Sequence, residues 1–365
     1  MNKVRRNLLL GLVLFFGAFA AAADTVIRGK NADIAPIWKP EKSLRFDPKI
    51  SRSFAFDNDV LVPGSRDQDY TYGLNLNFVG QGVEDQWSAL HGPLDWLDHQ
   101  LGIDEKVTIS IESAKVEYGL FGFTPEDITL AEPAEGDRPY ASLIYVSSTR
   151  ERHDPVRQTS WQSTLTIGVM GLAAVGEIQG YVHSATGSEQ PRGWDTQISE
   201  GGELTARYNL ARQSLLYRDR GDLEIKTTVQ GSVGFITETS WSLSLRAGNI
   251  RTPWVSFNPE LTSYGEKATS TDQGRVAEHY FWTGFSLKAR VYNAFLQGQF
   301  RDSDLTYDSD ELNHGIVEAW IGYTVAFDTG YSFTYSIRGH SSELKEGVGD
   351  RNVVWGGLQI TKTII

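Results

Sequence analysis

Oxygen-bearing side chains are concentrated in a short stretch that precedes an alternating segment of the chain. Five of them fall within thirteen residues: Asp57, Asn58, Asp59, Asp67 and Asp69. Carboxylate and carbonyl oxygens are the ligands that calcium prefers, and a bound cation can polarise a carbonyl group under attack. We expect Asp57 and Asp59 to be metal ligands with Asn58 beside them, and we interpret Asp67 and Asp69 as acids of a solvated loop.

A histidine in a glycine-punctuated segment offers a candidate base. The segment from Gly171 to Gly187 contains Glu177, Gln179 and His183, and in a helix the last two would lie one turn apart on one face. Because imidazole titrates near neutral pH, histidine is the usual residue that activates water. The other histidines are interpreted as surface or packing residues: His91, His99, His153, His279, His314 and His340.

Two further motifs carry a charged or aromatic side chain shortly after a glycine. Arg138 follows Asp137 and precedes Pro139, which fixes the backbone where a strand begins. The guanidinium of Arg138 could contact an anion of a substrate, or it could pair with Asp137 or another acid of the interior. Trp194, in the run GWDTQ, could contact a substrate or serve as a packing or interfacial residue.

Strands must position these groups, because apolar and polar side chains alternate along several segments. Tyr70, Tyr72, Leu74, Leu76 and Phe78 are predicted on one face of a strand, with Thr71, Gly73, Asn75 and Asn77 on the other. The segment 223–235 repeats this pattern, and soluble sandwiches also show it. Aromatic residues near strand ends suit the girdles of a membrane barrel and favour that architecture: Trp241, Trp254, Tyr280, Trp282, Trp320 and Trp355.

The composition narrows the compartment and the partners. Residues 1–23 have the charged start, apolar core and small-residue exit of a secretory signal, and 24–50 are predicted as an irregular lead-in to a domain of residues 51–365. The chain contains no cysteine, so disulfides and thiolate chemistry are excluded. A net charge of −12 argues against nucleic acid as a partner, since such binding depends on neutralising phosphates.

The resulting prediction is an all-β protein, an antiparallel transmembrane β-barrel with short helices in long extracellular loops. Thirteen strand candidates are visible, but single-chain outer-membrane barrels have even numbers, so we expect twelve strands. Segments 81–106 and 172–202 are predicted to form short helices at the mouth of the barrel. The candidates lie at 51–58, 69–80, 107–117, 139–149, 161–171, 203–217, 222–236, 241–250, 278–288, 290–302, 314–327, 330–341 and 352–362.

The order of the motifs resembles that of the outer-membrane lipid A 3′-O-deacylases, the LpxR-type family. FDND is followed by DQDYTYG, then by FTPEDITL with GDRPYAS, and finally by E-I-Q-x-x-x-H and GWDTQ, so that the resemblance extends over roughly residues 51–360. It implies a twelve-stranded barrel in the outer membrane that removes the 3′-linked acyloxyacyl group of lipopolysaccharide. It also implies a divalent cation, expected to be Ca²⁺, and we expect a monomer.

Position by position, the resemblance implies roles for four residues. Asn58 and Asp59 match the family's Asn-Asp pair, Thr71 its active-site hydroxyl residue and His183 its catalytic histidine. Arg138 is then the nearest candidate for a phosphate or oxyanion contact. The simplest scheme has His183 deprotonate water, while the cation, Thr71 or Asn58 holds the oxyanion. An outer-membrane phospholipase and a channel or structural barrel are the alternatives.

Overall fold

The computed structural model describes residues 50–63, 69–80, 83, 88–103, 111–219, 222–264, 266 and 277–364. The predicted signal peptide, nearly all of the lead-in and Asp67 lie outside these residues. Twelve strands form one closed antiparallel barrel in which each strand pairs with its neighbours in sequence, and the first pairs with the last. The predicted architecture and strand number are therefore confirmed.

The strands differ in length from nine to seventeen residues. They are β1 (Ile50–Asn58), β2 (Asp69–Val79), β3 (Ile111–Thr124), β4 (Ala141–Asp154), β5 (Thr159–Met170), β6 (Glu203–Asp219), β7 (Leu223–Gly234), β8 (Ile236–Asn249), β9 (Glu278–Asn293), β10 (Gly315–Ala326), β11 (Tyr331–His340) and β12 (Val353–Ile364). The helices in the described part of the chain are α1 (Ser88–Gln100), α2 (Ala173–Thr186) and the single turn α3 (Ala294–Gln297). Short 3-10 turns include Asp59–Leu61, Trp194–Thr196, Trp254–Ser256, Pro259–Leu261 and Ser309–Glu311.

One strand candidate, at 290–302, is wrong. Strand β9 continues through the first part of this range to Asn293, and α3 begins immediately afterwards. The Asn293 side chain accepts a hydrogen bond from the Phe295 N–H at 3.1 Å, which caps the helical turn and ends the strand. The apolar run of α3 then turns inward, where Phe295 is fully buried.

The even number of strands puts Ile50 and Ile364 at the same end of the barrel. Three short connections, 155–158, 220–222 and 327–330, lie at this end, which is typical of the periplasmic side. The antiparallel strand order places α1 there as well, whereas α2 lies at the opposite, extracellular end. The prediction that 81–106 forms a helix at the same mouth as 172–202 is therefore wrong in position, although both segments contain the predicted helix.

The connection between β8 and β9 enters the interior of the barrel from the periplasmic end. Glu260 lies within 3.0 Å of the Lys226 ammonium, and it accepts hydrogen bonds from Gln213, Thr228 and Ser244. Further along, Tyr264 packs edge-on against Phe123 with a centroid separation of 4.7 Å. We call residues 250–264 and 266 the luminal segment. Its side chains and those of the inward strand faces occupy the interior.

Most of the aromatic residues predicted for the interfacial girdles belong to this interior. Trp254, Tyr280, Trp282, Trp320 and Trp355 are all less than 7 % exposed, and Trp241 alone of the predicted set faces outward, 38 % exposed. The physical reason is the luminal segment, which provides large apolar partners such as Phe257 for inward rings. Outward aromatic residues near the periplasmic ends of strands include Tyr217, Phe327 and Tyr331 instead. No helix among the described residues is long and apolar enough to cross a bilayer.

Candidate functional site at the extracellular rim

A β-bulge at the start of β2 separates two tyrosines that were predicted on one face. The pairing of β2 with β3 shifts between Tyr70 and Tyr72, so one extra residue, Thr71, is accommodated there. An inserted residue reverses the direction of the side chains that follow it. Tyr70 consequently packs in the interior beside Phe121 and Phe123, and Tyr72 points to the outer wall.

The Asp57–Asn58–Asp59 stretch is divided between the two sides of the wall. Asp57 is 1 % exposed and accepts a hydrogen bond from the Tyr70 hydroxyl in the interior, at 3.4 Å. Asn58 lies directly opposite Tyr72 in the ladder. Its side chain donates to the Thr71 carbonyl at 2.6 Å and accepts from the Val60 N–H at 2.7 Å, which caps the turn Asp59–Leu61. The structure therefore does not bring Asp57 to the same face as Asn58.

Helix α2 lies against the outer face of the wall beside Tyr72. The Tyr72 hydroxyl donates to the Val175 carbonyl in the first turn of the helix. Val175 and the partly buried Ile178 pack with outward residues of the neighbouring strands, Phe56, Leu120 and Ile144. Val175, Gln179 and His183 are the buried side chains of α2, at the four-residue spacing that the sequence predicted for Gln179 and His183.

Trp194 is a packing residue that fastens α2 to the wall. Its indole N–H donates to the Gln179 side-chain oxygen at 2.8 Å, and its ring packs against Tyr140 at a centroid separation of 4.9 Å. A Cβ atom at Gly122 would lie only 3.1 Å from Trp194 and 3.2 Å from Val175. The helix and the indole can therefore pack this close to the strand because Gly122 has no side chain. These contacts favour the packing alternative for Trp194.

His183 occupies the last turn of α2 and is held in one ring orientation. Its Nδ1 lies within hydrogen-bonding distance of the Glu189 carbonyl, which can only accept, so Nδ1 carries the proton. In the neutral ring the basic nitrogen is then Nε2. The helix ends at Gly187 with a left-handed φ of 73°, and this reversal returns Glu189 to the histidine.

Thr71 and Asp59 are the two other predicted catalytic residues on this rim. Thr71 is 1 % exposed, and its hydroxyl lies 2.7 Å from that of Thr124 on β3. Asp59 opens the short turn that follows Asn58 and is equally buried. Asn58, Asp59 and Thr71 are thus neighbours at the top of β1 and β2, and Tyr72 links the same strands to the helix that carries His183.

Arg138 lies in the interior, on the other side of the wall from Trp194. Its guanidinium is paired with Glu343 and stands 4.5 Å above the Phe123 ring. Burial lowers the pKa of Arg138, and the nearby Tyr264 and Asp69 oppose that shift. These contacts favour the alternative of pairing with an interior acid. Its Nη1 has no hydrogen-bond partner among the described residues and could bind one more oxygen.

Asp69 is a buried ion-pair residue, so its interpretation as a solvated loop acid is wrong. It is 4 % exposed, and both its oxygens accept hydrogen bonds from Arg351 at 2.9 Å. Arg351 also reaches Asp137 at 2.8 Å. Burial alone would lower the pKa of Arg351, but the hydrogen bond and charge of Asp69 raise the pKa above its ordinary value. This network holds the 341–352 loop over the start of β2.

The sequence did not single out Tyr72 as an anchor of the helix or the Glu189 carbonyl as the partner of His183. A tyrosine within a row of outward apolar residues carries a signal, because its hydroxyl needs a partner when it is covered. A backbone carbonyl contributes through its position alone, and no pattern of residue types could have indicated it.

The donor set for a cation at this rim is small. Within the described part of the chain, no group of three or more His, Asp and Glu side chains is arranged so that it could hold a metal ion. Of the predicted ligands, Asp59 and the Asn58 side-chain oxygen lie at the rim, whereas Asp57 faces the interior. Calcium takes six to eight oxygens, so these side chains alone do not form a complete site.

The closed barrel, with apolar residues on its outward strand faces and a helix packed on its outer wall, defines an outer-membrane β-barrel protein. The chain belongs to the family of the outer membrane protein LpxR, whose sequence model matches residues 8–364. Among solved structures it is similar to LpxR from Salmonella typhimurium, with a TM-score of 0.67 and 16 % identity over 86 % of this chain and 99 % of that one.

Two other solved barrels are less similar to the chain. The β-domain of the Bordetella autotransporter BrkA gives a TM-score of 0.39 at 10 % identity, covering 86 % of this chain and 98 % of that one. The COG4313 outer membrane channel from Pseudomonas putida F1 gives 0.41 at 8 % identity, covering 90 % and 100 %. A comparison with curated protein sequences gives no match.

Proposed function

We propose that this protein is a lipid A deacylase of the outer membrane that hydrolyses the 3′-O-linked acyloxyacyl ester of lipopolysaccharide. Membership of the LpxR family supports the reaction class. The observation that carries the proposal is the placement of His183 on a helix that packs against the outer wall at the extracellular end. A base in that position faces the leaflet in which lipopolysaccharide resides.

The proposed chemistry begins with water and a neutral imidazole. Nε2 of His183 takes a proton from water while the resulting hydroxide attacks the ester carbonyl carbon. The Glu189 carbonyl accepts a hydrogen bond from the Nδ1–H group throughout and stabilises the imidazolium that forms. Collapse of the tetrahedral intermediate breaks the bond to the sugar oxygen, and the imidazolium returns its proton to that oxygen. The products are a free acyloxyacyl acid and a 3′-hydroxyl.

The oxyanion of the intermediate requires nearby donors. The Asn58 amide and the Thr71 hydroxyl are donors at the rim, at present engaged with the Thr71 carbonyl and the Thr124 hydroxyl respectively. Asp59 and the Asn58 oxygen would hold a divalent cation together with backbone, water or substrate oxygens, and such a cation would polarise the ester carbonyl when bound. Removing one oxyanion donor typically lowers kcat about 10²–10³-fold.

The filled interior argues against the channel alternative. The luminal segment pairs Glu260 with Lys226, and the aromatic cluster around Tyr264 and Phe295 occupies the extracellular half. A porin instead encloses a water-filled lumen. The phospholipase alternative uses the same base, and only the product distinguishes it from the deacylase.

Mass spectrometry of lipid A from cells that express the protein separates these functions. We expect loss of the 3′-acyloxyacyl mass; accumulation of lysophospholipid would indicate the phospholipase, and unchanged lipids would contradict both. His183→Ala and Asn58→Ala should abolish acyl removal while the barrel still shows heat-dependent gel mobility. Continued acyl removal by either variant would refute its assigned role.

Matched controls separate catalysis from folding. His279→Ala removes an exposed histidine from the outer face of β9 and should leave acyl removal unchanged. Asn58→Ser retains a side chain that can cap the turn Asp59–Leu61, so this variant should fold as well as the wild type but lose activity. If Asn58→Ser were fully active, Asn58 would be a capping residue only.

A further inference from the structure

Helix α1 lies on the outside of the barrel, in the half nearer the periplasmic end. Its Leu94 and the following Ile103 pack against Trp161, Tyr208 and Leu210, which point outward from β5 and β6. The inward residues of the same strands, such as Thr166 and Arg207, contact the luminal segment instead. The helix therefore covers wall that would otherwise face lipid.

Two outward arginines of β4 explain why this wall needs a cover. Arg150 makes a bidentate pair with Asp95 of α1, with both distances 2.9 Å, and Arg152 lies 2.9 Å from Asp98. Asp98 is fully buried and also accepts hydrogen bonds from Ser163 and Tyr208, at 2.6 and 2.8 Å. An uncovered arginine on a lipid-facing wall costs up to about 1 kcal/mol near the interface, where the strands end, and more at greater depth. The carboxylates of α1 neutralise both cations.

The edge of α1 that faces away from the barrel wall carries an exposed tryptophan. Trp96 is 55 % exposed although its neighbours in the sequence, Asp95 and Leu97, contact the wall. Outward aromatic residues occur elsewhere at the periplasmic ends of the strands, at Tyr217, Phe327 and Tyr331. In the sector of β4 and β5 the outward Trp161 is hidden beneath α1, so Trp96 takes the place of a girdle residue there.

We propose that α1 is a membrane-interface helix whose Trp96 edge contacts the headgroups and upper acyl chains of phospholipid in the periplasmic leaflet. This lipid contact is continuous with the lipid-facing belt of the barrel. It lies at the opposite end from His183, so it stands independently of the proposed reaction.

The test uses the cysteine-free chain. Trp96→Cys in the full-length mature protein is labelled with an environment-sensitive fluorophore and reconstituted into phosphatidylcholine vesicles with or without nitroxide-labelled acyl chains. Phe281→Cys, at an outward position that is 65 % exposed, provides the lipid reference. Glu346→Cys, at an exposed position of the 341–352 loop, provides the water reference. Heat-dependent gel mobility verifies that each labelled variant is folded.

We expect nitroxide lipids to quench the Trp96 probe more than the Glu346 probe, towards the level of the Phe281 probe, as for an interfacial residue. Aqueous iodide should quench the Trp96 probe less than the Glu346 probe. If the Trp96 probe instead matched the Glu346 probe in both measurements, the helix would face water and the proposal would be overturned. A labelled Gly92→Cys variant, one helical turn before Trp96 at an exposed position with open space around it, would exclude a local effect of the tryptophan replacement if it showed the same aqueous behaviour.

Discussion

Replacing Glu260 by glutamine tests whether the luminal segment is held electrostatically. The substitution keeps the shape of the side chain and removes its charge, so the buried Lys226 ammonium loses the negative charge that lies 3.0 Å from it. At that separation and an effective dielectric constant of about 20, Coulomb's law gives about 5–6 kcal/mol. Breaking a buried pair from one side typically costs about 3–5 kcal/mol, and we expect Glu260→Gln to lower the free energy of unfolding by this amount.

The assay is equilibrium unfolding in urea, with the protein in phospholipid vesicles and with tryptophan fluorescence and gel mobility as the readouts. Glu346→Gln removes an exposed carboxylate of the 341–352 loop and should change the free energy of unfolding by less than about 0.5 kcal/mol. The double variant with Lys226→Met removes both charges. The double variant should lose less free energy of unfolding than the two single variants lose in sum, by at least about 1.5 kcal/mol.

Two results would refute the reasoning about the luminal segment. The first is a Glu260→Gln protein as stable as the Glu346→Gln control. The second is a double variant whose loss equals the sum of the single losses, since independent sites add. Either result would mean that neutral hydrogen bonds and packing, rather than the ion pair, hold the luminal segment inside the barrel.

Three further predictions concern the rim. Trp194→Phe removes the hydrogen bond to Gln179 and should lower the free energy of unfolding by about 1 kcal/mol while making α2 more sensitive to protease; unchanged cleavage would contradict its role in fastening the helix. Arg138→Met leaves Glu343 without one of its cations and should cost about 2–4 kcal/mol in unfolding with acyl removal retained; lost activity at unchanged stability would establish a substrate contact. Chelation by EDTA should stop acyl removal and added calcium should restore it, and full activity in EDTA would rule out a cation at Asp59.

Much of the barrel could be predicted because alternation directly reflects the two environments of a strand. In β7 the inward residues Glu224, Lys226 and Thr228 all contact other interior groups, as the pattern of 223–235 indicated. Because single-chain outer-membrane barrels have an even number of strands, the thirteen strand candidates could also be reduced to the twelve strands that are observed. Because the strands alternate in direction, the connection after β2 must lie at the same end of the barrel as the two termini, and α1 is found there.

The parts that sequence could not predict depend on contacts between distant segments. The interior position of Trp320 and Trp355 follows from the filled lumen, and alternation alone treats an inward ring and a girdle ring alike. The bulge at Thr71 reverses Tyr70 relative to Tyr72, and the inserted residue is neither a glycine nor a proline that would have marked it. The motif at His183 indicated a helix and a base. The packing of that helix on the wall, however, depends on Gly122, which lies in a different part of the sequence.

The luminal segment also constrains the order in which this barrel can be assembled. The luminal segment belongs to the connection between two adjacent strands, yet it contacts groups from around the whole circumference, including Gln213 on β6 and Arg338 on β11. Threading so many charged groups into an already sealed cylinder would require stripping water from each of them within a confined space. We therefore expect the segment to settle against an open, curved sheet, with the pairing of β1 and β12 forming last. On this route, the pairing of β1 with β12 closes the barrel around a luminal segment that is already in place and then retains it.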